Sequence, residues 1–73
     1  MALNAADKKF LKAMVPHHQA AVKMAEAVLD EGEDDRVARL ARAIREGQSG
    51  EIKQMRQWLL AAGVVPGRPM RGM

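Results

Sequence analysis

The chain contains no cysteine and no tyrosine, and only one tryptophan and one phenylalanine, among its 73 residues. Without cysteine, neither a disulfide nor a thiolate metal ligand is possible. With so few aromatic residues, the core must be built from Ala, Val, Leu, Ile and Met. A chain of this length lies near the lower limit at which one hydrophobic core offsets the entropy of ordering. We therefore expect metal binding or self-association to help stabilise the fold.

The sequence also lacks long apolar runs and a strong excess of one charge. No segment approaches the roughly 18 consecutive apolar residues of a membrane span, so we expect no membrane insertion. The formal net charge is only +3. The nearest approach to a basic cluster is Arg36, Arg39, Arg42 and Arg45. Because they are spaced by three residues, they point in progressively different directions around a helix, and no aromatic residue or base-reading motif accompanies them. We interpret them as a solvated helix face, and expect no nucleic-acid partner.

Capping and turn residues divide the chain into two helices and a tail. Asn4, with an acidic residue three positions on, predicts a helix N-terminus. Gly32 predicts the end of that helix, and the acidic residues after it favour the start of a second one. Gly63 ends the second helix. The sequence therefore predicts one helical domain over residues 1–63, with helices at about 5–31 and 35–62, and a Pro/Gly-rich flexible tail over 64–73.

Both predicted helices are amphipathic at the helical period. The predicted buried arc of the first comprises Phe10, Leu11, Met14, His17, His18, Ala21, Ala25, Val28 and Leu29. That of the second comprises Val37, Ala41, Ile44, Gln48, Glu51, Ile52, Met55, Leu59 and Ala62. Two such helices joined by a short turn pack as an antiparallel hairpin, an all-α fold. Because a hairpin buries only one side of each arc, we expect homodimerisation into a four-helix bundle.

Polar side chains interrupt both arcs at the same level. If the turn is centred near residues 32 and 33, Met14 lies across from Glu51 and His17 across from Gln48. Adjacent residues of a helix differ in direction by roughly 100°. We therefore expect one of His17 and His18 to point at the second helix of its own hairpin, and the other to point across the dimer interface.

Three residues that weaken helices lie at this level, namely Pro16, Gly47 and Gly50. Proline removes a backbone hydrogen bond, and each glycine costs about 1 kcal/mol relative to alanine. One interpretation is that local geometry at the polar level is favoured over stability. Close helix packing at Gly47 is an equally good interpretation.

The polar level supplies imidazole, thioether and carboxylate donors. Imidazole with thioether suits Cu(I) and Ag(I), and imidazole with carboxylate also suits Cu(II) or Zn(II); copper, as Cu(I), is favoured. Met at helical spacing is, however, usually core filling, and a buried His is usually hydrogen-bonded. By spacing alone, a metal site and a closed His-Gln-Glu polar network that fixes register are equally well supported. We expect no enzyme, because oxidoreductase chemistry needs a substrate pocket that the sequence does not indicate.

The run Met14-Val15-Pro16-His17-His18-Gln19, followed by Gln48-x-x-Glu51-x-x-x-Met55, closely resembles the domain of unknown function 305 family. The resemblance implies a ferritin-like helical protein of bacterial type that is often exported and that in some members binds copper or silver in metal tolerance. It implies a periplasmic or extracellular location, although the N-terminus has no signal peptide, which leaves the cytoplasm open. The metal ligands implied together by the spacing and the resemblance are His17, His18, Met14, Met55, Glu51, Gln48 and Met24.

Overall fold

A computed structural model of the protein describes residues 2–64. It contains two α-helices, α1 (Ala5–Glu31) and α2 (Asp35–Ala61), joined by three residues and packed against each other. No strand occurs in residues 2–64. The all-α fold with two packed helices is therefore confirmed, and the helix bounds agree with the predicted ranges to within one residue. No helix in this part of the chain is long and apolar enough to cross a membrane.

Local side-chain hydrogen bonds define the start of α1. The Asn4 side chain accepts a hydrogen bond from the Asp7 backbone N–H at 2.8 Å, and the Asn4 N–H donates to the Asp7 carboxylate at 3.1 Å. This reciprocal pair is the capping box that the sequence indicates. The helix continues through Pro16 and ends at Glu31, where the Gly32 N–H donates to the Val28 carbonyl at 2.7 Å. A side chain at Gly32 would collide with that carbonyl, so glycine is required there.

Asp34 caps α2. Its carboxylate accepts hydrogen bonds from the backbone N–H groups of Arg36 and Val37, at 2.8 and 3.1 Å. The Arg36 guanidinium also donates to it at 2.9 Å. These interactions, that with the guanidinium first, hold the pKa of Asp34 below its usual value and raise that of Arg36. The acidic residues after the turn thus begin the second helix, as expected from the helix dipole.

The C-terminus of α2 is closed by a left-handed glycine. Gly63 adopts a φ of 82°, its N–H donates to the Leu60 carbonyl, and the Val64 N–H donates to the Leu59 carbonyl. This pattern of bonds is a Schellman motif. Val64, assigned to the flexible tail by the sequence, instead packs against the core. The rest of the predicted tail lies outside the described residues.

The core is a small cluster contributed by both helices. It comprises Leu11, Val15, Ile52, Met55 and Leu59. Leu59 is fully buried. Four partly buried apolar residues pack around the cluster; they are Leu3, Met14, Val22 and Val64.

The predicted buried arcs are wrong at several positions. Val15 is nearly fully buried although it lies outside the predicted arc, whereas Phe10, Val37 and Ile44 are exposed and were predicted to be buried. The glutamate of the second arc, Glu51, is exposed as well. The physical reason is that each arc combines two adjacent stripes with 3-4 spacing, about 100° apart, and the hairpin buries only one of them.

The second pair of stripes forms a surface that we call the exposed face. It comprises Phe10, Met14, His17, Ala21 and Met24 of α1 and Val37, Leu40, Ile44, Gly47, Glu51, Gln54 and Trp58 of α2. Six of its large apolar side chains are solvent-exposed; they are Phe10, Met24, Val37, Leu40, Ile44 and Trp58. The face therefore has the composition of a helix-bundle interior without being covered by any other part of residues 2–64.

Candidate metal-binding site

One hydrogen bond links the two polar sequence motifs. His18 Nε2 lies 2.6 Å from Glu51 Oε1, and the imidazole side chain is 15% exposed whereas that of Glu51 is 63% exposed. The expected register placed Met14, one turn earlier, across from Glu51. Helical side chains lean toward the N-terminus of their own helix. Because the helices are antiparallel, His18 and Glu51 lean toward each other, which brings them together across this offset.

A shallow groove surrounds this pair, with a volume of about 260 Å³. We call it the histidine groove. Its lining comprises Phe10, Leu11, Met14, His18, Glu51, Gln54, Met55 and Trp58. It therefore brings together four of the seven predicted site residues, with imidazole, carboxylate and two thioether side chains along one wall of the hairpin. Met14 and Met55 also contact or belong to the hydrophobic core.

Two buried side-chain polar atoms at this level have no hydrogen-bond partner among residues 2–64. They are Nδ1 of His18 and Oε1 of Gln48. An ionised carboxylate can only accept a hydrogen bond, so the His18 Nε2–H donates to Glu51. In a neutral imidazole this tautomer leaves Nδ1 with the free lone pair. Buried polar atoms without partners are rare in folded proteins, so each of these two is expected to bond a water molecule, an ion or a further side chain.

The other predicted ligands lie outside the histidine groove. His17 is exposed, on the exposed face, and its ring centroid is 6.3 Å from that of His18. Met24 is 68% exposed. It lines a second groove, toward the turn, which we call the alanine groove; its lining comprises Ala21, Met24, Ala25, Val37, Leu40, Ala41 and Ile44. Within a single chain the predicted ligands are therefore separated. The side chain of His18 lies inside the histidine groove, whereas those of His17 and Met24 are exposed on its outside.

The donors of one chain do not form a dense cluster of hard ligands. Among residues 2–64, no group of three or more His, Asp or Glu side chains is placed to hold a metal ion. The histidine groove offers one imidazole nitrogen and two thioethers, with the carboxylate already bonded to the imidazole. Such a set favours a soft monovalent ion over a hard divalent one.

Two residues of α2 in the histidine groove lie outside the predicted site. Gln54 and Trp58 both line the histidine groove, and neither was predicted to take part in the site. Both lie on the stripe with 3-4 spacing that runs from Leu40 through Glu51 to Trp58. That spacing was visible in the sequence and could have separated the exposed face from the core.

Comparison with known proteins gives a family match for most of the chain. The sequence model of the domain of unknown function family (DUF305) matches residues 1–59, which include both helical motifs. The chain belongs to this family. The matched range includes His18 of α1 and Glu51 of α2, the pair joined by the 2.6 Å hydrogen bond.

A viral relative shares part of the hairpin. The chain is 37% identical over 49 residues to the uncharacterized protein L153 of Acanthamoeba polyphaga mimivirus, and this match covers 67% of the chain. It covers 32% of L153, so the chain spans about a third of that relative's length. No solved structure matches the chain.

Proposed function

We propose that this protein binds a soft metal ion, copper(I) first and silver(I) as its analogue, and acts as a sequestering or carrier module in which the ion is cargo. The observation that carries the proposal is the histidine groove, where His18 meets Met14, Met55 and Glu51. The resemblance of the sequence to a family with copper-binding and silver-binding members supports the same assignment.

The hydrogen bond to Glu51 suits a ligand role for His18. In many metal sites a carboxylate accepts a hydrogen bond from one imidazole nitrogen, which fixes the ring and raises the basicity of the other nitrogen. His18 has that arrangement, with Nε2–H bonded to Glu51 and Nδ1 without a partner. The thioethers of Met14 and Met55 would supply the soft donors, and the apolar groove walls would exclude water that favours oxidation to copper(II).

The exposed face supports the second element of the proposal, which is homodimerisation into a four-helix bundle. Six large apolar side chains are exposed on it, more than the five residues of the core cluster. A two-helix hairpin has too little buried apolar area to be expected to fold alone at this length. A second copy would cover this face and complete a bundle of conventional architecture.

Copper(I) titration in competition with a chromophoric chelator tests the metal proposal. We expect micromolar or tighter binding by the unaltered chain and loss of most of it in His18→Ala. Glu51→Gln keeps the shape of the side chain but removes the carboxylate, so we expect copper affinity to fall roughly 10- to 100-fold. Gln57→Ala, at an exposed position outside the groove, serves as the control. Equal copper binding by the unaltered chain and His18→Ala would refute the proposal.

The alternative function is a structural interaction module in which the same residues form a buried polar network. The short bond between His18 and Glu51 favours it. The unpartnered Nδ1 of His18 and Oε1 of Gln48 count against a closed network within one chain. Thermal unfolding separates the two functions, because an ion that binds only the folded state must raise the melting temperature. An unchanged melting temperature with excess copper(I), silver(I) and zinc(II) would favour the network.

A further inference from the structure

We propose that two copies associate antiparallel through their exposed faces, about a two-fold axis near His17 and Gly47, so that His17 of each copy completes the histidine groove of the other. This inference rests on the proposed function and adds the arrangement of the dimer and the sharing of the metal site between its chains.

The two ends of the exposed face carry side chains of different size. Near the chain termini the face carries the aromatic side chains of Phe10 and Trp58, both exposed. Toward the turn, the alanine groove has a floor of small residues; they are Ala21, Ala25 and Ala41. The aromatic side chains of one copy and the alanine floor of the other are complementary when the second copy is turned end for end. Like ends paired together would crowd the aromatics and leave a gap between the alanine floors.

The spacing of the residues fixes where the two-fold axis must lie. Phe10 and Met24 are each seven residues from His17, or about 10 Å along the helix. On α2, Trp58 and Val37 lie eleven and ten residues from Gly47. An axis at His17 and Gly47 therefore seats the aromatic end of each copy on the alanine groove of the other, as an isologous interface requires.

Gly47 leaves room for this approach. Apart from the neighbouring residues and the backbone of its own helix, no heavy atom of residues 2–64 would lie within 4 Å of a Cβ atom at Gly47, so close packing inside the hairpin does not explain the glycine. Gly47 is exposed and lies near the middle of the exposed face, close to the level expected for His17 from the antiparallel register. The absence of a side chain there lets a second copy come close at the level where the imidazoles lie.

The exposed apolar area is sufficient for such a dimer. Phe10 and Trp58 are 60% and 51% exposed, which leaves about 100 Å² of each available if an aromatic side chain offers roughly 200 Å². With the four aliphatic and methionine side chains, the face offers on the order of 500 Å² of apolar area per copy. A polar rim would raise this toward the roughly 800 Å² per partner that stable interfaces bury.

The dimer supplies the ligand that a single chain lacks. His18 is turned into its own hairpin by Glu51, while His17 is exposed on the face that meets the second copy. Across the axis, each His17 approaches the groove that holds His18 and Met14 of its partner. Each site would then contain two imidazoles from different chains with thioether donors, and one dimer would hold two equivalent sites.

Subunit complementation tests the sharing of the site. His17→Ala and His18→Ala are first shown by circular dichroism to be folded. They are then mixed in equal amounts, unfolded together and refolded. Random pairing makes half of the dimers mixed, and each mixed dimer has one intact site of two. We therefore expect copper(I) capacity at about a quarter of the unaltered protein, with each variant alone near zero. A mixture with no more capacity than the variants alone would overturn the sharing, while binding by the unaltered chain would still support the proposed function.

Disulfide cross-linking tests the arrangement, since the chain has no cysteine of its own. Gly47→Cys, near the axis, should form a disulfide dimer on mild oxidation. Gly50→Cys is the matched control, because its added side chain also has open space and points about 60° away from that of Gly47 on the helix, further from the exposed face. Met24→Cys should cross-link with Phe10→Cys but not with itself.

The outcomes of this experiment separate the two proposals. Self-linking of Met24→Cys, with an unaltered dimer mass, would overturn the antiparallel arrangement and leave homodimerisation in place. A monomeric mass for the unaltered chain at tens of micromolar would overturn both the dimer and this inference, and the copper titration would then test metal binding by itself.

Discussion

A pair of leucines offers the sharpest test of whether the exposed face is an interface. Leu40 and Leu60 are 60% and 58% exposed and belong to the same helix. Leu40 lies on the exposed face, whereas Leu60, twenty residues along, points roughly 160° away from it around the helix. Replacing either with lysine adds the same charge at nearly the same helix propensity. Any difference between Leu40→Lys and Leu60→Lys therefore reports what covers each position.

The magnitude follows from the exposed area. Burying a leucine fully is worth about 1.5–3 kcal/mol, so covering the exposed 60% of Leu40 contributes about 1–2 kcal/mol in each copy. Two-fold symmetry counts the substitution twice, which gives about 2–4 kcal/mol and a dimer weakened roughly 30-fold to several hundred-fold. Leu60→Lys should change the dimer dissociation constant by less than about twofold.

Sedimentation equilibrium over a range of protein concentrations measures both constants. The concentration dependence of the melting temperature provides a second readout, because a dimer melts at a higher temperature as its concentration rises. Equal dissociation constants for Leu40→Lys and Leu60→Lys would refute the assignment of the exposed face as the interface. So would an unaltered chain that stays monomeric at every concentration.

Three further predictions concern the hairpin itself. Leu59→Ala, at the fully buried position of the core, should lower the free energy of unfolding by about 2–5 kcal/mol in urea titrations, and a loss below 1 kcal/mol would contradict the core described above. Gly50→Ala should raise the free energy of unfolding by about 0.5–1 kcal/mol, because alanine favours the helix over glycine. Gly47→Ala should raise it less if a second copy approaches there. An equal gain for both variants would argue against a two-fold axis near Gly47. The pKa of Asp34 is lowered in the folded chain, so its carboxylate stabilises the fold above the usual pKa of 3.8, and this stabilisation is lost as the pH falls through the lower folded pKa. The difference in unfolding free energy between the unaltered chain and Asp34→Asn should therefore shrink on acidification. A difference that does not depend on pH would exclude the charge as its source.

Local features of this fold were predictable because local chemistry determines them. The cap at Asn4 and the stop at Gly32 depend on residues within one helical turn, so the bounds of α1 follow directly from the sequence. The close approach of the two motifs was also predictable, since a three-residue turn leaves an antiparallel hairpin as the only arrangement. The coincidence of the polar positions therefore became a real contact, between His18 and Glu51.

The choice of stripe was not predictable from one helix alone. Phe10 and Leu11 are adjacent in the sequence, belong to the same predicted arc and are both strongly apolar, yet Phe10 is exposed and Leu11 is buried. Periodicity indicates an apolar arc but not which edge of it packs within the chain, because that depends on the pairing of both helices at once. The same limit explains why the sequence predicted one inward and one outward imidazole without indicating which; His18 is the inward one and His17 is exposed.

Met55 belongs to the hydrophobic core and also lines the histidine groove. Oxidation of its sulfur to the sulfoxide would introduce a polar group into the packed interior and remove a thioether donor in one chemical event. Its burial protects it more than Met24, which is 68% exposed in the single chain. Oxidation that reaches Met55 would destabilise the hairpin and, if the proposed function holds, release the bound ion in the same event, so that a damaged chain could not persist as an intact but empty protein.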